Sequence, residues 1–337
     1  MEYVNLGRTG LMVSRLCFGC LAFGTRDVVG WALGEDEAQP FFRRALDAGV
    51  NFFDTADAYS VGASEEITGR ALLRYAGRHN ALIATKIHAR MGPGPNDRGL
   101  SRRRVFAAVD ACLARLGVDW IDLLNLHRYD PTTPEEETLE ALDAVVRAGK
   151  VRYLGASNFR AYQFVRMHQT QKHRGWAPFV NYQVHYNLLN REEERENIPY
   201  CVEEGIALTP WSPVARGWLA GTTAGATDRA RYDPLRDYYG SSADLAIIDR
   251  VGQVAARCGA RPAQVAIAWM LAKPGITAPI VGATKMYQLD DAVAALDLRL
   301  TEDDIAWLEE LYMPRRPVAL ELGDPRAITR GPLAAKS

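Results

Sequence analysis

Two apolar segments, LIATK at 82–86 and IDLLNL at 121–126, show the pattern on which the fold depends. Both are short, both are mostly apolar, and each ends on or just before an ionisable side chain, Lys86 or His127. Strands that are apolar on both faces are typical of a parallel sheet covered by helices. Six more segments of this kind occur along the chain, at 16–20, 51–54, 151–156, 179–183, 206–211 and 277–281.

Helical patterns lie between these segments. Ser101 is placed to cap the start of one helix, and Gly117 to end it. Another is predicted to begin with Thr133 as its cap and Pro134 as its first residue, and to end at Gly149. Strand and helix repeated eight times predict the α/β class, as an eightfold (β/α) TIM barrel. An open doubly wound sheet is the alternative, but its usual G-x-G-x-x-G string is missing from the sequence.

Two additions to the barrel are predicted. Residues 2–14 alternate around a glycine turn, which indicates an N-terminal hairpin at the barrel floor, and residues 301–312 form an amphipathic pattern that indicates an extra C-terminal helix. No linker is apparent, so residues 1–337 are interpreted as one barrel domain, with an irregular tail at 318–337. The long segment 215–242 has no periodicity and is expected to be a functional or mobile loop.

Composition excludes several classes of protein. The 337 residues carry a net charge of −1, which gives no bulk attraction to nucleic acid or acidic membranes. No apolar run approaches the roughly 20 residues that span a bilayer, and no signal peptide is evident, so we expect a cytoplasmic protein. The five cysteines are scattered, which makes a disulfide framework improbable. Cys17 and Cys20 have no second pair at ligand spacing, so no metal site is predicted.

Four proton-bearing side chains are predicted to meet at one rim of the barrel. Active sites of (β/α)₈ barrels lie at the carboxyl ends of the strands, and there the sequence places Asp54, Tyr59, Lys86 and His127. Each of them alone has an ordinary structural explanation, such as capping, packing or a surface ion pair. Their occurrence together at equivalent strand ends indicates a catalytic site.

This set of groups suits the reduction of a carbonyl. Hydride addition leaves an alkoxide that needs a proton donor, and a tyrosine hydroxyl has a pKa of about 10. A buried ammonium at Lys86 is expected to lower the pKa of Tyr59, while Asp54 keeps that ammonium charged and in place. His127 is expected to hydrogen-bond the carbonyl oxygen and orient it.

Further strings match a known family in chain order and over nearly the whole sequence. They are NFFDTADAY (51–59), ATK (84–86), LLNLH (123–127), YLGASNF (153–159), NYQ (181–183), WSP (211–213) and VGATK (281–285). In these strings the chain resembles the aldo-keto reductases, and among them a bacterial branch near the sugar and sugar-nucleotide reductases.

The resemblance implies that NADPH binds across the barrel mouth. Trp211 would stack on the nicotinamide ring and Lys285 would meet the 2′-phosphate. The implied cofactor-binding residues are Ser157, Asn158, Gln183, Trp211, Ser212, Pro213, Gly217, Leu219, Gly282, Thr284, Lys285, Gln288 and Asp291. Gln288 and Asp291 also suit an ordinary solvated helix face. Ala292 departs from the family, which often has an adenine-binding asparagine there.

The substrate is expected to be a small carbonyl compound, with a sugar or sugar-derived ketone as one candidate. Phe23, Trp31, Arg128 and Tyr129 are candidates for the pocket wall. Arg128 could receive a carboxylate or phosphate of the substrate, and an ion pair within the protein is the alternative.

The predicted site is compatible with three functions. The first is NADPH-dependent reduction of an aldehyde or ketone, with Tyr59 as the proton donor. The second is a cofactor-binding, redox-sensing subunit with little turnover. The third is a hydrolytic or isomerising barrel that uses Asp54 and His127 without a nicotinamide. Self-association through Leu11, Trp307 and Tyr312 is left open.

Overall fold

The structure is a computed structural model, and it describes residues 1–221 and 238–315. Within this part of the chain, eight strands form one parallel sheet in which each strand pairs with the next. A two-stranded antiparallel hairpin precedes them. In chain order the strands are β1 (Tyr3–Asn5), β2 (Met12–Ser14), β3 (Cys17–Gly19), β4 (Phe52–Asp54), β5 (Leu82–Ile87), β6 (Ile121–Leu126), β7 (Val151–Ser157), β8 (Phe179–Gln183), β9 (Ala207–Leu208) and β10 (Ile280–Val281).

The sheet closes on itself. β10 pairs with β3, where Ile280 lies opposite Cys17. At the other edge, Leu208 and Trp211 form single parallel bridges to Ile276 and Ile280. The predicted (β/α)₈ barrel is therefore confirmed, and its closure brings all the strand carboxyl ends to one mouth.

The two strands beside this closure are shorter than predicted. β9 covers only two residues of the predicted 206–211, and β10 only two of 277–281. A proline has no N–H to donate to a ladder, and Pro210 and Pro279 stand at these limits. The chain there continues through single bridges instead of a regular ladder.

Helices surround the sheet. They are α1 (Glu35–Asp47), α2 (Ala63–Tyr75), α3 (Arg102–Leu116), α4 (Glu135–Arg147), α5 (Ala161–Arg174), α6 (Asn197–Glu204), α7 (Ser242–Cys258), α8 (Pro262–Ala272), α9 (Met286–Ala294) and α10 (Glu302–Glu309). The predicted limits of α3 are confirmed, because Ser101 accepts a hydrogen bond from the Arg104 N–H and Gly117 is left-handed. The predicted start of α4 is wrong by one residue. Pro134 is itself the cap, since the Thr133 hydroxyl donates to Asp130 instead.

The predicted hairpin closes the barrel floor. Leu6, between β1 and β2, is fully buried with Val13 against the inward residues Cys17, Phe52 and Leu123 of the sheet. The barrel bottom is therefore filled by apolar side chains, and the wide opening lies at the opposite end.

The remaining predicted segments fall partly outside the described residues. The extra C-terminal helix is present as α10, capped by Thr301 and ending before the predicted 312. Of the predicted loop 215–242, the start forms a 3₁₀ turn at Ala215–Ala220 and the end belongs to α7. Residues 222–237 and the predicted tail 318–337 lie outside the described residues.

The side chains considered for self-association contact the chain itself. The Tyr312 hydroxyl donates to Glu192 at 2.6 Å, and the ring of Trp307 lies 4.9 Å from the guanidinium carbon of Arg250. Leu11 packs against the hairpin cluster. All three side chains thus have contacts within the chain, and self-association through them stays a prediction.

The cysteines are all unpaired, as the sequence predicts. Four are buried, at 17, 20, 112 and 201, whereas Cys258 at the end of α7 is exposed. Among the described helices, none is long and apolar enough to cross a membrane.

Candidate active site

Lys86 is at the centre of the predicted catalytic group. Its Nζ donates to Asp54 Oδ2 at 2.5 Å, to the Thr55 carbonyl at 2.8 Å and to the Tyr59 hydroxyl at 3.1 Å. The lysine is fully buried and Asp54 is nearly so. All three donor positions of the ammonium are therefore used, which fixes the lysine and the tyrosine hydroxyl relative to each other.

Strand ends bring these groups together. Asp54 is the last residue of β4 and Lys86 the next-to-last residue of β5, while His127 follows β6 directly. Tyr59 begins a 3₁₀ turn in which Ser60 and Val61 have φ values of 46° and 52°. Left-handed backbone is uncommon for residues other than glycine, and for a β-branched valine it is strained. The strained turn places the tyrosine hydroxyl at the barrel mouth.

The pKa values of Tyr59 and Lys86 are both shifted by burial and by the contact between them. Burial raises the pKa of Tyr59 above its ordinary value, and the lowering effect of Lys86 only partly offsets this. The predicted lowering by Lys86 is present, but burial, which the prediction left out, outweighs it. Burial alone would lower the pKa of Lys86. The contacts with Asp54 and Tyr59 raise this pKa by more than burial lowers it, so the net shift is upward and the lysine stays charged.

His127 completes the group as a neutral imidazole. Burial, together with the positive charges of Lys86 and Arg128, holds its pKa well below the ordinary value. Its ring lies edge-on to the Tyr59 ring, with centroids 5.9 Å apart and an interplanar angle of 81°. At neutral pH it can thus donate one ring N–H without carrying charge.

A chain of hydrogen bonds connects the catalytic group to an aromatic wall. Gln183 Nε2 donates to Asp54 Oδ1 at 3.0 Å, and Ser157 Oγ donates to the Gln183 carbonyl at 2.9 Å. Asn158 Nδ2 donates to Ser157 Oγ at 2.8 Å, while its Oδ1 accepts from Trp211 Nε1 at 3.1 Å. The Trp211 indole is thereby connected, through Asn158, to residues at the carboxyl ends of β4, β7 and β8.

A cavity of 930 Å³ opens over these groups. Most of the predicted site residues lie in its wall. They are Trp31, Asp54, Tyr59, His127, Arg128, Asn158, Gln183, Trp211, Ser212, Pro213, Gly217, Gly282, Thr284, Lys285, Gln288 and Asp291. Such a volume suits a large cofactor together with a small molecule.

A sequence model of the aldo/keto reductase family matches residues 15–313. The chain belongs to this family. It is 42% identical to the versiconal hemiacetal acetate reductase of Aspergillus parasiticus, over 94% of this chain and 98% of the relative. It is 40% identical to a provisionally assigned aryl-alcohol dehydrogenase of Schizosaccharomyces pombe, over 93% and 96%, and 39% identical to an aldo-keto reductase of Metarhizium robertsii, over 94% and 92%.

The relatives correct one part of the predicted resemblance. The family is confirmed, and with it an oxidoreductase that acts on carbonyl groups. The expected placement in a bacterial branch near sugar and sugar-nucleotide reductases is not supported, because these three relatives are fungal proteins.

Two predicted substrate residues of this aldo/keto reductase do not line the cavity. Phe23 is fully buried, and its ring packs against Phe42 and Phe18 with centroids 5.0 Å and 5.8 Å apart. Tyr129 turns its hydroxyl away to Glu135 at 2.8 Å and its ring against Phe159. The structure thus gives neither side chain a place in the cavity wall, because closeness to the rim along the chain does not fix the direction of a side chain.

Leu219 and Ser157 also lie behind the wall. Leu219 is fully buried in the core, and its N–H donates to the Val214 carbonyl. The Leu219 side chain therefore does not face the cavity, and the predicted contact of its backbone with the cofactor stays a prediction. The Ser157 hydroxyl is buried too and is occupied by its hydrogen bonds to Asn158 and Gln183, so in this structure it positions those residues.

The far end of the cavity contains the predicted adenosine residues. Gln288 Oε1 accepts from the Thr284 and Lys285 N–H groups at 2.8 Å and 3.1 Å, and so caps the start of α9. Asp291 pairs with Arg261 at 3.2 Å. Both side chains therefore have structural roles within the cavity wall, whereas Lys285 is exposed.

Three arginines of the wall were missed from the sequence, namely Arg26, Arg216 and Arg261. Arg261 directly precedes the proline that begins α8, and this helix-start signal could have located it. Arg216 has a left-handed φ of 57°, and its guanidinium carbon lies 5.3 Å from the Trp211 ring centre. Nothing in a single sequence predicts that conformation.

The wall has features that fit a dinucleotide. Ser212 has a φ of 63°, and its buried Oγ has no hydrogen-bond partner among the described residues. A buried hydroxyl of this kind calls for a ligand group or water. Lys285 and Arg261 supply positive charge at one end of the cavity, and Asn158 and Gln183 supply amides at the other.

Proposed function

We propose that this aldo/keto reductase reduces an aldehyde or ketone to the alcohol with NADPH, and that Tyr59 donates the proton. The observation that carries the proposal is the Lys86 ammonium, which is bound at once to Asp54 and to the Tyr59 hydroxyl at the cavity wall. Bound NADPH supplies the hydride for the reaction.

Tyr59 would protonate the oxygen of the reduced carbonyl. Loss of that proton leaves a phenolate 3.1 Å from the Lys86 ammonium, which stabilises the negative charge. Asp54 keeps the lysine charged and in place throughout. A positive charge beside the donor oxygen thus lowers the cost of the proton transfer even though burial opposes ionisation.

His127 would orient the carbonyl group of the substrate. Because it is neutral, it can hydrogen-bond the carbonyl oxygen without competing as an acid. Its edge-on arrangement with Tyr59 directs both side chains into the same part of the cavity. The carbonyl oxygen would then lie between two hydrogen-bond donors.

NADPH is proposed over NADH because of the cations near α9. Lys285 is exposed at the cavity wall, and Arg261 lies in the same wall beside Asp291. A 2′-phosphate would add charge-assisted hydrogen bonds that NADH lacks. Asn158 and Gln183 would hold the carboxamide, and Trp211 would contact the nicotinamide ring.

The substrate class proposed is an aromatic aldehyde or ketone. Support comes from two relatives whose names specify a hemiacetal acetate and an aryl alcohol. Trp31 in the wall offers an aromatic face, and Arg128 a planar cation that suits oxygen-rich rings. The earlier prediction of a sugar or sugar-derived ketone has no such support and is tested alongside.

The test is NADPH oxidation by the purified protein with matched panels of benzaldehydes, aryl ketones, aldoses and keto sugars. We expect turnover with the aromatic panel.

Tyr59→Phe should lower kcat by at least about a hundredfold while the Kd for NADPH stays within about twofold, because the hydroxyl is needed only for proton transfer. NADPH binding without turnover of any carbonyl would favour the redox-sensing alternative, and turnover by cofactor-free protein would favour the hydrolytic one.

A further inference from the structure

A second ring lies behind Trp211. The His185 imidazole is parallel to the Trp211 indole, with an interplanar angle of 7° and ring centroids 4.0 Å apart. His185 is buried, whereas Trp211 lines the cavity. Parallel rings at this distance have extensive dispersion contact. We call these two stacked rings the indole–imidazole pair.

Both rings of the pair are held at their edges. His185 Nε2 is 2.7 Å from the Tyr239 hydroxyl, and that hydroxyl accepts a hydrogen bond from Asn187 Nδ2 at 3.0 Å. Tyr239 can therefore give its own proton to His185. On the other ring, Trp211 Nε1 donates to Asn158. The edge of the imidazole is thus held by Tyr239, and the edge of the indole by Asn158.

The imidazole is also neutral. Burial holds the pKa of His185 well below its ordinary value, and the positive charges of Arg216 and Arg315 lower it further. A neutral ring stacks on the indole without placing a cation beneath it. The Trp211 backbone N–H donates to the Val184 carbonyl at 2.8 Å, so the main chain on both sides of the stack is fixed as well.

We propose that His185 is a positioning residue of the cofactor site, which holds the Trp211 indole at the angle needed for contact with the nicotinamide ring. This inference rests on the function proposed above. His185 covers one face of the indole, so a cofactor ring would stack on the opposite face. The Arg216 guanidinium carbon also lies 5.3 Å from the indole ring centre and would share the surroundings of that ring. Without the imidazole, the indole could tilt toward the vacated space, and the nicotinamide would lose part of its contact surface.

Two substitutions separate stacking from hydrogen bonding. His185→Phe keeps a flat ring but loses the bond to Tyr239, and His185→Gln keeps a polar group for Tyr239 but loses the ring. If stacking is the function, the His185→Gln variant should have a Kd for NADPH about three- to tenfold higher and a kcat lower by a similar factor. An aromatic stacking contact contributes a free energy that corresponds to such a factor. Phe should remain within about twofold of the unaltered protein, and KM for the carbonyl should change little in either variant.

His168→Gln is the matched control. His168 is also buried, lies nearly parallel to the Phe164 ring at 13°, and bonds a tyrosine hydroxyl, that of Tyr200, at 2.8 Å. It lies on α5 outside the cavity wall, so its loss should lower the melting temperature without changing the Kd for NADPH.

Three results would overturn the inference. They are a Phe variant that binds NADPH more weakly than the Gln variant, a Gln variant that binds as the unaltered protein does, and a His168→Gln control with the same loss of affinity. In each of these cases normal NADPH binding by the unaltered protein would leave the proposed function standing. Absence of NADPH binding by the unaltered protein would overturn both.

Discussion

Asp57 is a carboxyl group that folding buries without giving either oxygen a hydrogen bond among the described residues. Arg104 is its ion-pair partner, at a distance of 3.6 Å. Burial, together with the negative charge of Glu65, raises the pKa of Asp57 to about 7. A carboxyl whose pKa is higher in the folded state stabilises that state at low pH. Its contribution is full below the ordinary pKa near 4 and is lost as the pH rises through 7.

Asp57→Asn should therefore stabilise the protein more at pH 8 than at pH 5. The variant removes an ionisable group whose charged form is costly to bury, and we expect its advantage to grow by about 1–2 kcal/mol between the two pH values. Urea denaturation at both pH values measures the free energy of unfolding. Asp119→Asn, at an exposed carboxyl, is the control and should show no such difference. An advantage for Asp57→Asn that is equal at both pH values would contradict the prediction.

Lys285→Glu should weaken NADPH much more than NADH. We expect KM for NADPH to rise by about tenfold or more, because a charge-assisted hydrogen bond to the 2′-phosphate is replaced by repulsion. Initial rates with each cofactor at saturating carbonyl concentration measure the effect. Lys150→Glu, which breaks a surface pair with Asp110 away from the cavity wall, should leave both KM values unchanged. Equal losses with NADPH and NADH would remove Lys285 from the phosphate.

At the scale of single residues, the sequence could predict side chains whose direction follows from a strand end. Asp54, Lys86 and His127 meet because parallel strands share a mouth. The direction of Tyr129, by contrast, depends on the position of Glu135 in α4, which is a tertiary contact. His185 was not identified for the same reason, since its partner Trp211 is on another strand segment.

At the scale of elements, the contact between α2 and α3 depends on a glycine, Gly69, which has no side chain. A Cβ placed on Gly69 would lie 2.0 Å from the Leu116 carbonyl oxygen, and that atom belongs to rigid backbone. The two helices can approach this closely only because residue 69 is glycine. Gly252 in α7 has no heavy atom within 4 Å of such a Cβ, which makes it a matched helical glycine without a contact.

These two glycines give opposite predictions. Gly69→Ala should lower the free energy of unfolding by about 2–3 kcal/mol, because the helices must separate. Gly252→Ala should raise it by about 0.5–1 kcal/mol through helix propensity alone. Thermal and urea denaturation of both variants provide the comparison. If Gly69→Ala were as stable as Gly252→Ala, the close approach of α2 and α3 would be disproved.

Element boundaries were predictable where a local signal exists. Ser101 and Gly117 delimit α3 because capping and left-handed turns are local chemistry. The start of α4 was predicted one residue too early, because the Thr133 hydroxyl has a better acceptor in Asp130. Such competition between side-chain partners is decided by the folded loop and leaves no mark in the sequence pattern.

At the scale of the whole molecule, stability and chemistry lie at opposite ends of the barrel. The hairpin fills the floor with Leu6 and Val13, and the predicted catalytic group lies at the mouth. Alternation and chain order were sufficient to predict this division. The number of strands, their parallel order and the floor hairpin all follow from patterns repeated along the chain, whereas the closing bridges beside Pro210 and Pro279 do not.

Leu6→Ala should change the stability of the protein, which depends on the barrel floor, without changing the activity, which depends on the mouth. Leu6 is fully buried, so the cavity left by truncation should lower the free energy of unfolding by about 2–4 kcal/mol. Measured well below the melting temperature, kcat and KM should match those of the unaltered protein, because the mouth is not touched. Leu11→Ala, at a partly buried position of the same cluster, is the milder control. A large fall in kcat with folded Leu6→Ala would show that floor and mouth are coupled.

The distribution of thiols has a practical consequence. Since Cys258 is exposed and the other four cysteines are buried, a maleimide dye should attach to the folded protein at one place, the last residue of α7. Arg261 follows three residues later and lines the cavity. A fluorophore on that thiol would therefore report the arrival of a dinucleotide in real time, with no engineered label site.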